Sequence, residues 1–305
     1  MIILRICPDA GMGNQMFAYT SGLACAVKLN TKLFLDKWNF NKLTLKSRPY
    51  FLDNFPAITE PQASLSTIFK ICPREAMMNL ISYSRIRRFH IIRRIMRKVI
   101  TKFFHKGFCR LYSYPVKGCT EFEDIPDNSY LLGWWETEKN FASISNLVRE
   151  KFKFADSCFA PELVSQVKSC NSVAIHVRRG DKLVWPGLLA SNENYIRRAI
   201  EKIYSLTENP EFFVFSDDIK YCRETLPKIY PDAKYTFIEG QTPPQDMALM
   251  TICNHVIMGP STFSWWGAWL NENPRKIIIA PDLNFWYTDP VHKLNLLPER
   301  WIKIS

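Results

Sequence analysis

The ten residues SVAIHVRRGD at 172–181 decide the fold class of this chain. The run 172–177 is apolar and rich in β-branched and small residues, which is typical of a strand buried in a parallel sheet. Arg178 and Arg179 follow it directly, and ligands of open α/β sheets bind where such strands end. Because a guanidinium offers a fork of donors that matches phosphate oxygens, the stretch predicts a diphosphate site. The alternative interpretation is a solvated surface pair of Arg179 and Asp181.

The same alternation of short apolar strands and longer helical stretches runs along the whole chain and indicates a parallel α/β architecture. Strands are predicted at 2–7, 32–35, 129–132, 172–177, 211–215, 255–258 and 276–280. Helices are predicted at 15–29, 140–151, 192–205, 219–229, 245–251 and 262–270. A boundary near 158 then gives an N-terminal domain, 1–158, and a C-terminal domain, 159–305. We expect the last segment, from 283 on, to cross back onto the first domain.

Length and composition indicate a globular protein with a full hydrophobic core. The chain has 305 residues, 47% of them hydrophobic, so it can bury a full core. No apolar run approaches the length of about 18 residues that spans a bilayer, and the N-terminus lacks the pattern of a signal peptide. We therefore expect a cytoplasmic protein. Its nine scattered cysteines include no Cys-x-x-Cys pair, which predicts reduced thiols and no metal site.

The net charge of +11 is concentrated in one segment. The stretch 85–106 holds nine Lys or Arg and no acidic residue, with apolar residues at helical spacing, and predicts a basic amphipathic insertion near 80–106. It is open whether this helix packs on the core with a solvated basic face or makes peripheral contact with an anionic membrane. Each basic residue near such a membrane contributes about 1 kcal/mol. Nucleic acid is the third alternative, but no recognition motif accompanies the charge, so no nucleic-acid partner is expected.

A glycine-containing loop, AGMGNQMFAY at 10–19, follows the first predicted strand. Gly11 and Gly13 let the backbone approach a ligand, and the N-terminus of the following helix favours anions. The carboxamide of Asn14 can hydrogen-bond phosphate or sugar oxygens, or cap the helix. The loop is therefore a candidate ligand-binding element.

The same loop allows a second class of function, an NAD-dependent oxidoreductase. Asp36 ends the second predicted strand 23 residues after Gly13, near the spacing expected of a ribose-binding carboxylate. However, Met16 stands where a dinucleotide-binding loop has its third glycine. This alternative also leaves Arg178 and Arg179 without a function.

Four ordered elements together resemble the α-1,2-fucosyltransferases, family 11 of the glycosyltransferases. They are the glycine loop at 10–19, GWWETEKNF at 133–141, the tandem-arginine stretch at 172–181, and QDMALM at 245–250 with GPSTFSWWGAWL at 259–270. The resemblance spans roughly positions 10 to 285 and is weak between about 40 and 120. It implies a GT-B-like fold in which two Rossmann-like halves face a central cleft.

The resemblance also implies a reaction: inverting, metal-independent transfer of L-fucose from GDP-β-L-fucose to the 2-hydroxyl of a terminal galactoside. The acceptor would be a galactose-terminated oligosaccharide or a lipid-linked glycan at the inner face of a membrane. Transfer of fucose to form another linkage is the alternative within this class. A glycan-binding module without enzymatic activity is a further alternative from a different class.

The chemistry needs negative charge on the leaving diphosphate to be stabilised. The chain has no Asp-x-Asp motif to hold a metal, so fixed positive charge must replace it, and Arg178 is the candidate, in agreement with the resemblance. The resemblance places His176 near the guanine and Asp246 on its N1–H and 2-amino edge. The alternatives are a core histidine bonded to a backbone carbonyl and a carboxylate that favours the dipole of its helix.

Ser261 and Thr262 can cap a helix and offer donors to the diphosphate. Phe263 and the tryptophans after it lie at helical spacing. We expect Trp266 and Trp269 to pack in the core and one ring of the group to stack on the nucleotide or sugar. No general base is evident; the candidates are Asp181 and Glu239, which are also candidate partners of Arg179. We expect Asp217 and Asp218 to be helix-capping or loop residues, with nucleotide binding as a lesser alternative.

Overall fold

The computed structural model describes residues 1–41, 48–83, 95–96, 98–100, 111–113, 124–133, 135–180, 183, 191–282 and 296–305. The chain divides into two compact units. The first comprises Met1–Asp53 and Ala57–Lys151, and the second comprises Asn54–Pro56 and Phe152–Ser305. Among the helices of the described ranges, none is long and apolar enough to cross a membrane.

The first unit is built on a four-stranded parallel sheet. Its strands are β1 (Ile2–Arg5), β2 (Leu33–Asp36), β3 (Leu111–Ser113) and β4 (Ser129–Leu132), in the order β2-β1-β4-β3. Its helices are α1 (Met12–Lys28), α2 (Leu65–Ile71), α3 (Pro73–Tyr83) and α4 (Ser145–Lys151), with short 3₁₀ helices at Trp38–Asn41 and Glu138–Ile144. The predicted helix at 140–151 is therefore part 3₁₀ and part α.

The second unit is built on a six-stranded parallel sheet. Its strands are β5 (Asn171–Val177), β6 (Pro210–Ser216), β7 (Lys234–Phe237), β8 (His255–Ile257), β9 (Ile278–Pro281) and β10 (Ile302–Ile304), in the order β10-β9-β8-β5-β6-β7. Its helices are α5 (Pro161–Lys168), α6 (Glu193–Tyr204), α7 (Ile219–Ile229), α8 (Pro243–Ile252) and α9 (Thr262–Leu270).

The core of the second unit forms around β5, as its apolar sequence predicts. Val173 and Ile175 are fully buried against the inner face of α6, whose apolar residues recur every three or four positions. The hydroxyl of Tyr195 on α6 donates to the carbonyl of Met258 at 2.7 Å, so this helix is also tied to the end of β8. The carboxyl ends of the central strands are thereby held in a fixed arrangement.

The division between the units falls seven residues before the predicted boundary at 158. Phe152 explains the difference, because its ring packs 4.9 Å from Phe55 and 5.1 Å from Trp266, both in the second unit. At the other end of the chain, β10 pairs in parallel with β9. The predicted crossing back is therefore not seen at Ile302–Ile304, which extend the second sheet; residues 283–295 lie outside the described ranges.

Each sheet has one place where the direction of strand order reverses. In the first sheet β1 lies between β2 and β4, and in the second sheet β5 lies between β6 and β8. Ligands of open α/β sheets bind outside the carboxyl ends of the strands at such a switch point. The stretch after β5 and the stretch after β8 therefore flank the expected binding position of the second unit.

Candidate functional site

The stretches after β5 and β8 leave the second sheet side by side. Ile175 pairs with Ile257, so His176 and Gly259 lie at the same edge. A Cβ on Gly259 would stand 2.6 Å from the carbonyl oxygen of His176, a distance that real side chains do not reach. The glycine is thus required for this close approach between the stretch that leads into the tandem arginines and the stretch that leads into α9.

Arg178 carries its charge at this edge of the sheet. Its Nη1 lies 2.8 Å from Oδ2 of Asp217, and both side chains are 25% exposed. The other oxygen of Asp217 accepts the backbone N–H of Arg179 at 2.9 Å. A Cβ on Gly180 would stand 2.5 Å from Oδ2 of Asp217, so the glycine leaves room for the carboxylate. Arg178 is therefore a partly exposed cation whose direction is set by Asp217.

Arg179 has a different environment. Its Nε lies 3.2 Å from Oδ2 of Asp218, and its guanidinium stacks 3.5 Å from the centre of the Tyr221 ring. Asp218 also caps α7, since its other oxygen accepts the N–H of Tyr221, as predicted for a capping residue. Arg179 therefore braces the start of α7.

The sequence predicted Asp181 or Glu239 as the partner of Arg179, and neither pair is present among the residues that the structure describes. Glu239 pairs with Arg223 at 3.0 Å on the surface, so the predicted pair between Arg179 and Glu239 is wrong. Asp181, the candidate base and candidate partner, lies outside the described residues. Sequence reasoning gave Asp217 a capping or loop role, with a lesser claim on the nucleotide, and missed its pair with Arg178. The signal was available in part, because Asp217 directly follows a predicted strand.

His176 is buried just before Arg178. Its side chain is 6% exposed, and no group in the described part of the chain hydrogen-bonds its Nδ1. Burial, reinforced by the charge of Arg178, lowers the pKa of His176 to about 3, so the imidazole is neutral at physiological pH. A core histidine would be satisfied by a backbone carbonyl at this nitrogen. The ring instead lies 5.4 Å from that of Phe263, at the start of α9.

Asp246 lies in the first turn of α8. The N-terminus of that helix is already capped by Thr242 and Gln245, which form a capping box. Within the described ranges the Asp246 carboxylate has no hydrogen bond or ion pair, and burial raises its pKa to about 7. Because α8 follows β7 and leads back to β8, its first turn lies at the carboxyl edge of the parallel sheet. A desolvated carboxylate without a protein partner at this edge is typical of a ligand-binding residue.

The N-terminus of α9 completes this edge. The hydroxyl of Ser261 accepts the N–H of Phe263 at 3.2 Å, which confirms the predicted cap, and Thr262 begins the helix. Trp266 and Trp269 are buried in the core, as predicted, and so is Trp265. Phe263 remains partly exposed, so it is the aromatic residue of this helix that can contact a ligand.

The glycine loop lies in the first unit, between β1 and α1. Gly11 is exposed and Asn14 is half-buried, while Gly13 is buried at the start of α1. Gln15 is committed to the fold: its Nε2 donates to the carbonyls of Ala10 and Pro49, and its Oε1 accepts the N–H of Phe51. Gly11, Gly13 and Asn14 thus lie at the switch point of the first sheet, and Gln15 holds the loop in place.

Asp36 does not have the surroundings of a ribose-binding residue. Its carboxylate is 1% exposed and accepts hydrogen bonds from the Asn79 amide at 2.7 Å, the Tyr130 hydroxyl and the Trp38 N–H. The buried ion pair between Arg5 and Glu75 lies in the same cluster, because the charges of both also act on Tyr130. The protein itself satisfies Asp36, which argues against the dinucleotide-binding alternative.

The second sheet thus brings a cation, a helix N-terminus, a buried neutral imidazole and a carboxylate without a described partner to one edge, an arrangement typical of ligand sites in α/β folds. In the described part of the chain, no cluster of His, Cys, Asp or Glu could hold a metal ion. Residues 16–305 match the sequence profile of Glycosyl transferase family 11. The chain belongs to this family and is a glycosyltransferase.

Comparison with individual proteins gives the same class of enzyme. The chain is 31% identical to an α-1,2-colitosyltransferase of Escherichia coli, over 97% of this chain and 96% of that protein. It is 39% identical to galactoside α-(1,2)-fucosyltransferase 1 of Saimiri boliviensis boliviensis, over 32% of this chain and 28% of that protein. Its fold is similar to that of POFUT1 in complex with GDP, with a TM-score of 0.51 and 13% identity over 91% and 98% of the two chains. With the two parallel sheets, this confirms the α/β, GT-B-like fold class.

Proposed function

We propose that this glycosyltransferase moves L-fucose from GDP-β-L-fucose to the 2-hydroxyl of a terminal galactoside, with inversion and without a metal. The observation that carries the proposal is the place of Arg178, a partly exposed cation that directly follows β5 at the switch point of the second sheet. The α-1,2 linkage is supported by the names of the relatives to which the chain is similar.

Arg178 and α9 are proposed to stabilise the leaving group. The acceptor oxygen bonds to C1 of fucose, the bond from C1 to the β-phosphate oxygen breaks, and the electron pair passes to GDP. A charged guanidinium and the positive end of a helix dipole both favour the negative charge that develops there. Ser261 and Thr262 are proposed to bind the diphosphate, because they begin α9.

His176, Asp246 and Phe263 are proposed to bind the guanine base. An ionised carboxylate offers two acceptors that suit the N1–H and 2-amino donors of guanine, whereas uracil has no such pair of donors. Asp246 is suited to this task because no described protein group occupies its oxygens. Neutral His176 packs beside Phe263, whose partly exposed ring can contact the base.

The second unit is therefore proposed to bind the GDP-sugar and the first to lie on the acceptor side. Gly11, Gly13 and Asn14 are proposed to contact the donor or the acceptor from the switch point of the first sheet. Asp181 stays the candidate base. Fucosyl transfer can also proceed with late loss of the acceptor proton, for which a strong base is not needed.

Colitose is a second candidate for the transferred sugar. The observation that favours it is the similarity to an α-1,2-colitosyltransferase along 97% of this chain. Colitose is fucose without its 3-hydroxyl, so the leaving group, the inversion and the linkage are unchanged. Comparing GDP-fucose with GDP-colitose on one galactoside acceptor distinguishes the two donors.

A lipid-linked glycan acceptor would explain the basic segment 85–106, for which we propose peripheral contact with the cytoplasmic face of a membrane. The structure describes residues 95–96 and 98–100 of this segment. There Ile95 and Val99, one helical turn apart, are 55% and 46% exposed. Apolar side chains at this spacing next to many basic residues are typical of helices that lie in a membrane interface.

Thermal unfolding with GDP, UDP or NAD, each with and without EDTA, tests the nucleotide and the metal together. A ligand at 100 times its Kd stabilises the folded protein by about 2.7 kcal/mol. For a chain of this size the midpoint rises by roughly 2–4 °C per kcal/mol. We expect stabilisation by GDP that EDTA does not change. A response to NAD without one to GDP would contradict the proposal, and loss of the GDP effect in EDTA would contradict its metal-independence.

A further inference from the structure

Helix α3 buries polar residues and exposes apolar ones. Glu75 and Asn79, one turn apart, are 3% and 1% exposed, because they bind Arg5 and Asp36 inside the first unit. On the other side Met77 is half-buried, and Leu80 is 48% exposed. Ala76 and Ile81 of the same helix are buried as well, so the apolar residues of α3 are divided between the core and the surface. Within the described ranges, the core does not cover Leu80.

The neighbouring helix adds to the same surface. Helices α2 and α3 pack against each other, and both bury small or branched residues in a cluster on the first sheet. On α2, Phe69 is 48% exposed and Lys70 next to it is exposed. We call Phe69, Lys70, Met77 and Leu80 the α2–α3 outer face. An aromatic ring and a leucine exposed to this extent cost free energy in water and are typical of binding surfaces.

The sequence that contains this face carries charge of almost one sign. Between residues 61 and 120 the sequence has thirteen Lys or Arg and a single acidic residue, Glu75. Glu75 is buried and its Oε2 lies 2.6 Å from Nη1 of Arg5. The fold thus buries the one carboxylate of the stretch, whereas Lys70, on the face itself, is exposed.

We propose that the α2–α3 outer face binds the surface of an anionic lipid bilayer, with Phe69 and Leu80 at the boundary between headgroups and acyl chains. Anionic lipid attracts basic residues, and the interface accepts exposed apolar side chains, so one partner satisfies both features. Nucleic acid would use the charge but not the apolar side chains. The inference extends the proposed contact of 85–106 to a second element and does not depend on the donor or the acceptor.

Co-sedimentation of the full chain with vesicles tests the proposal. The vesicles are phosphatidylcholine alone or a mixture with phosphatidylglycerol. We expect binding to the mixture only, and the double variant F69S/L80S should lower the partition coefficient by on the order of tenfold. Leu206→Ser is the matched control, because Leu206 is 45% exposed in the second unit beside the acidic Glu208, and it should leave binding unchanged.

Lys70→Glu is a second variant that should not affect folding, since Lys70 is exposed, and we expect at least about fivefold weaker binding from it. If the wild-type protein does not co-sediment with the anionic vesicles, both proposed membrane contacts are wrong. If R93Q/R94Q/R97Q abolishes binding while F69S/L80S and K70E do not, the contact is confined to 85–106 and this inference fails. A change of oligomeric state in F69S/L80S, with unchanged vesicle binding, would assign the face to a second copy of the chain instead.

Discussion

Asp217 binds Arg178 through one carboxylate oxygen, at 2.8 Å, and the backbone N–H of Arg179 through the other, at 2.9 Å. The two arginines are thereby given different functions. Arg178 stays partly exposed at the carboxyl edge of β5, whereas Arg179 is fixed to α7 by Asp218. The direction in which the Arg178 guanidinium points therefore depends on Asp217.

Replacing Asp217 with asparagine tests this dependence. The amide keeps an oxygen for the N–H of Arg179 but loses the charge that orients Arg178. We expect kcat to fall roughly 10- to 100-fold, the scale of a misplaced catalytic group, with a smaller change in KM. In an Arg178→Ala background the same replacement should have little further effect, because the two residues act as a unit. Independent effects in this double-mutant cycle would show that Asp217 does not act through Arg178.

Arg178→Ala should be the most damaging single change in the second unit. It removes a preorganised cation, and the loss of one such group typically costs on the order of 100- to 1,000-fold in kcat. Arg179→Ala is the matched control, because its side chain stacks on Tyr221 and we expect it to lower stability more than turnover. Rates of GDP release and thermal midpoints of both variants give the comparison. Near-wild-type turnover of Arg178→Ala would remove this arginine from the leaving-group site.

Sequence patterns predicted the elements that have a buried apolar run, and they missed those that do not. Strand β5 was predicted from its run of small and β-branched residues, and helix α9 was predicted because most of its residues are apolar. Helix α3 was missed because the polar residues Glu75 and Asn79 share its buried positions with Ala76 and Ile81, which weakens the apolar period. Strands β7 and β10 were missed because both are short edge strands that are only partly buried.

The site could be predicted to the level of single stretches but not to the level of pairs. Arg178 and Asp246 were candidate site residues on their motifs, and both remain predictions. Their partners depend on strand order, which no local pattern reveals. Because Val177 pairs with Ser216, the residues after β5 lie beside Asp217 and Asp218, which are 39 positions from Arg178 and Arg179 in the chain.

The raised pKa of Asp246 predicts a pH dependence of GDP binding. Burial brings this pKa to about 7, and the ionised form is the one that accepts both guanine donors. GDP should therefore bind about tenfold more weakly at pH 6 than on the plateau above pH 8, since about a tenth of the carboxylate is ionised at pH 6. Calorimetric titration at several pH values measures this. In Asp246→Asn the affinity should be low and flat with pH, and IDP, which lacks the 2-amino group, should bind the wild type more weakly than GDP.

The lowered pKa of His176 predicts how stability responds to acid. Folding brings this pKa from near 6.5 to about 3, so between these values the unfolded chain binds a proton that the folded protein does not. The contribution of His176 is therefore complete above pH 6.5 and is lost as the pH falls towards 3, by up to about 1.4 kcal/mol per pH unit. Denaturant unfolding of the wild type and His176→Gln at pH 7.5 and pH 5 measures it. An equal loss of stability in both proteins would contradict the assignment.

Two glycines allow the fold and the site to be tested separately. A Cβ on Gly259 would collide with the backbone of His176, and we expect Gly259→Ala to lower the free energy of unfolding by on the order of 1–3 kcal/mol. Gly11 has an ordinary φ of −66° and no atom within 4 Å of the position of a Cβ, so Gly11→Ala should leave stability within about 0.5 kcal/mol of the wild type.

Because Gly11→Ala should not change stability, a change in its activity would show that the loop after β1 contacts a substrate. If the loop after β1 contacts donor or acceptor, the added methyl group should raise KM or lower kcat while the thermal midpoint stays at the wild-type value. Steady-state kinetics with both substrates varied, alongside a thermal melt, provides the measurement. Unchanged kinetics in this variant would remove Gly11 from the site and restrict the role of the loop to holding α1, where Gln15 already binds Ala10, Pro49 and Phe51.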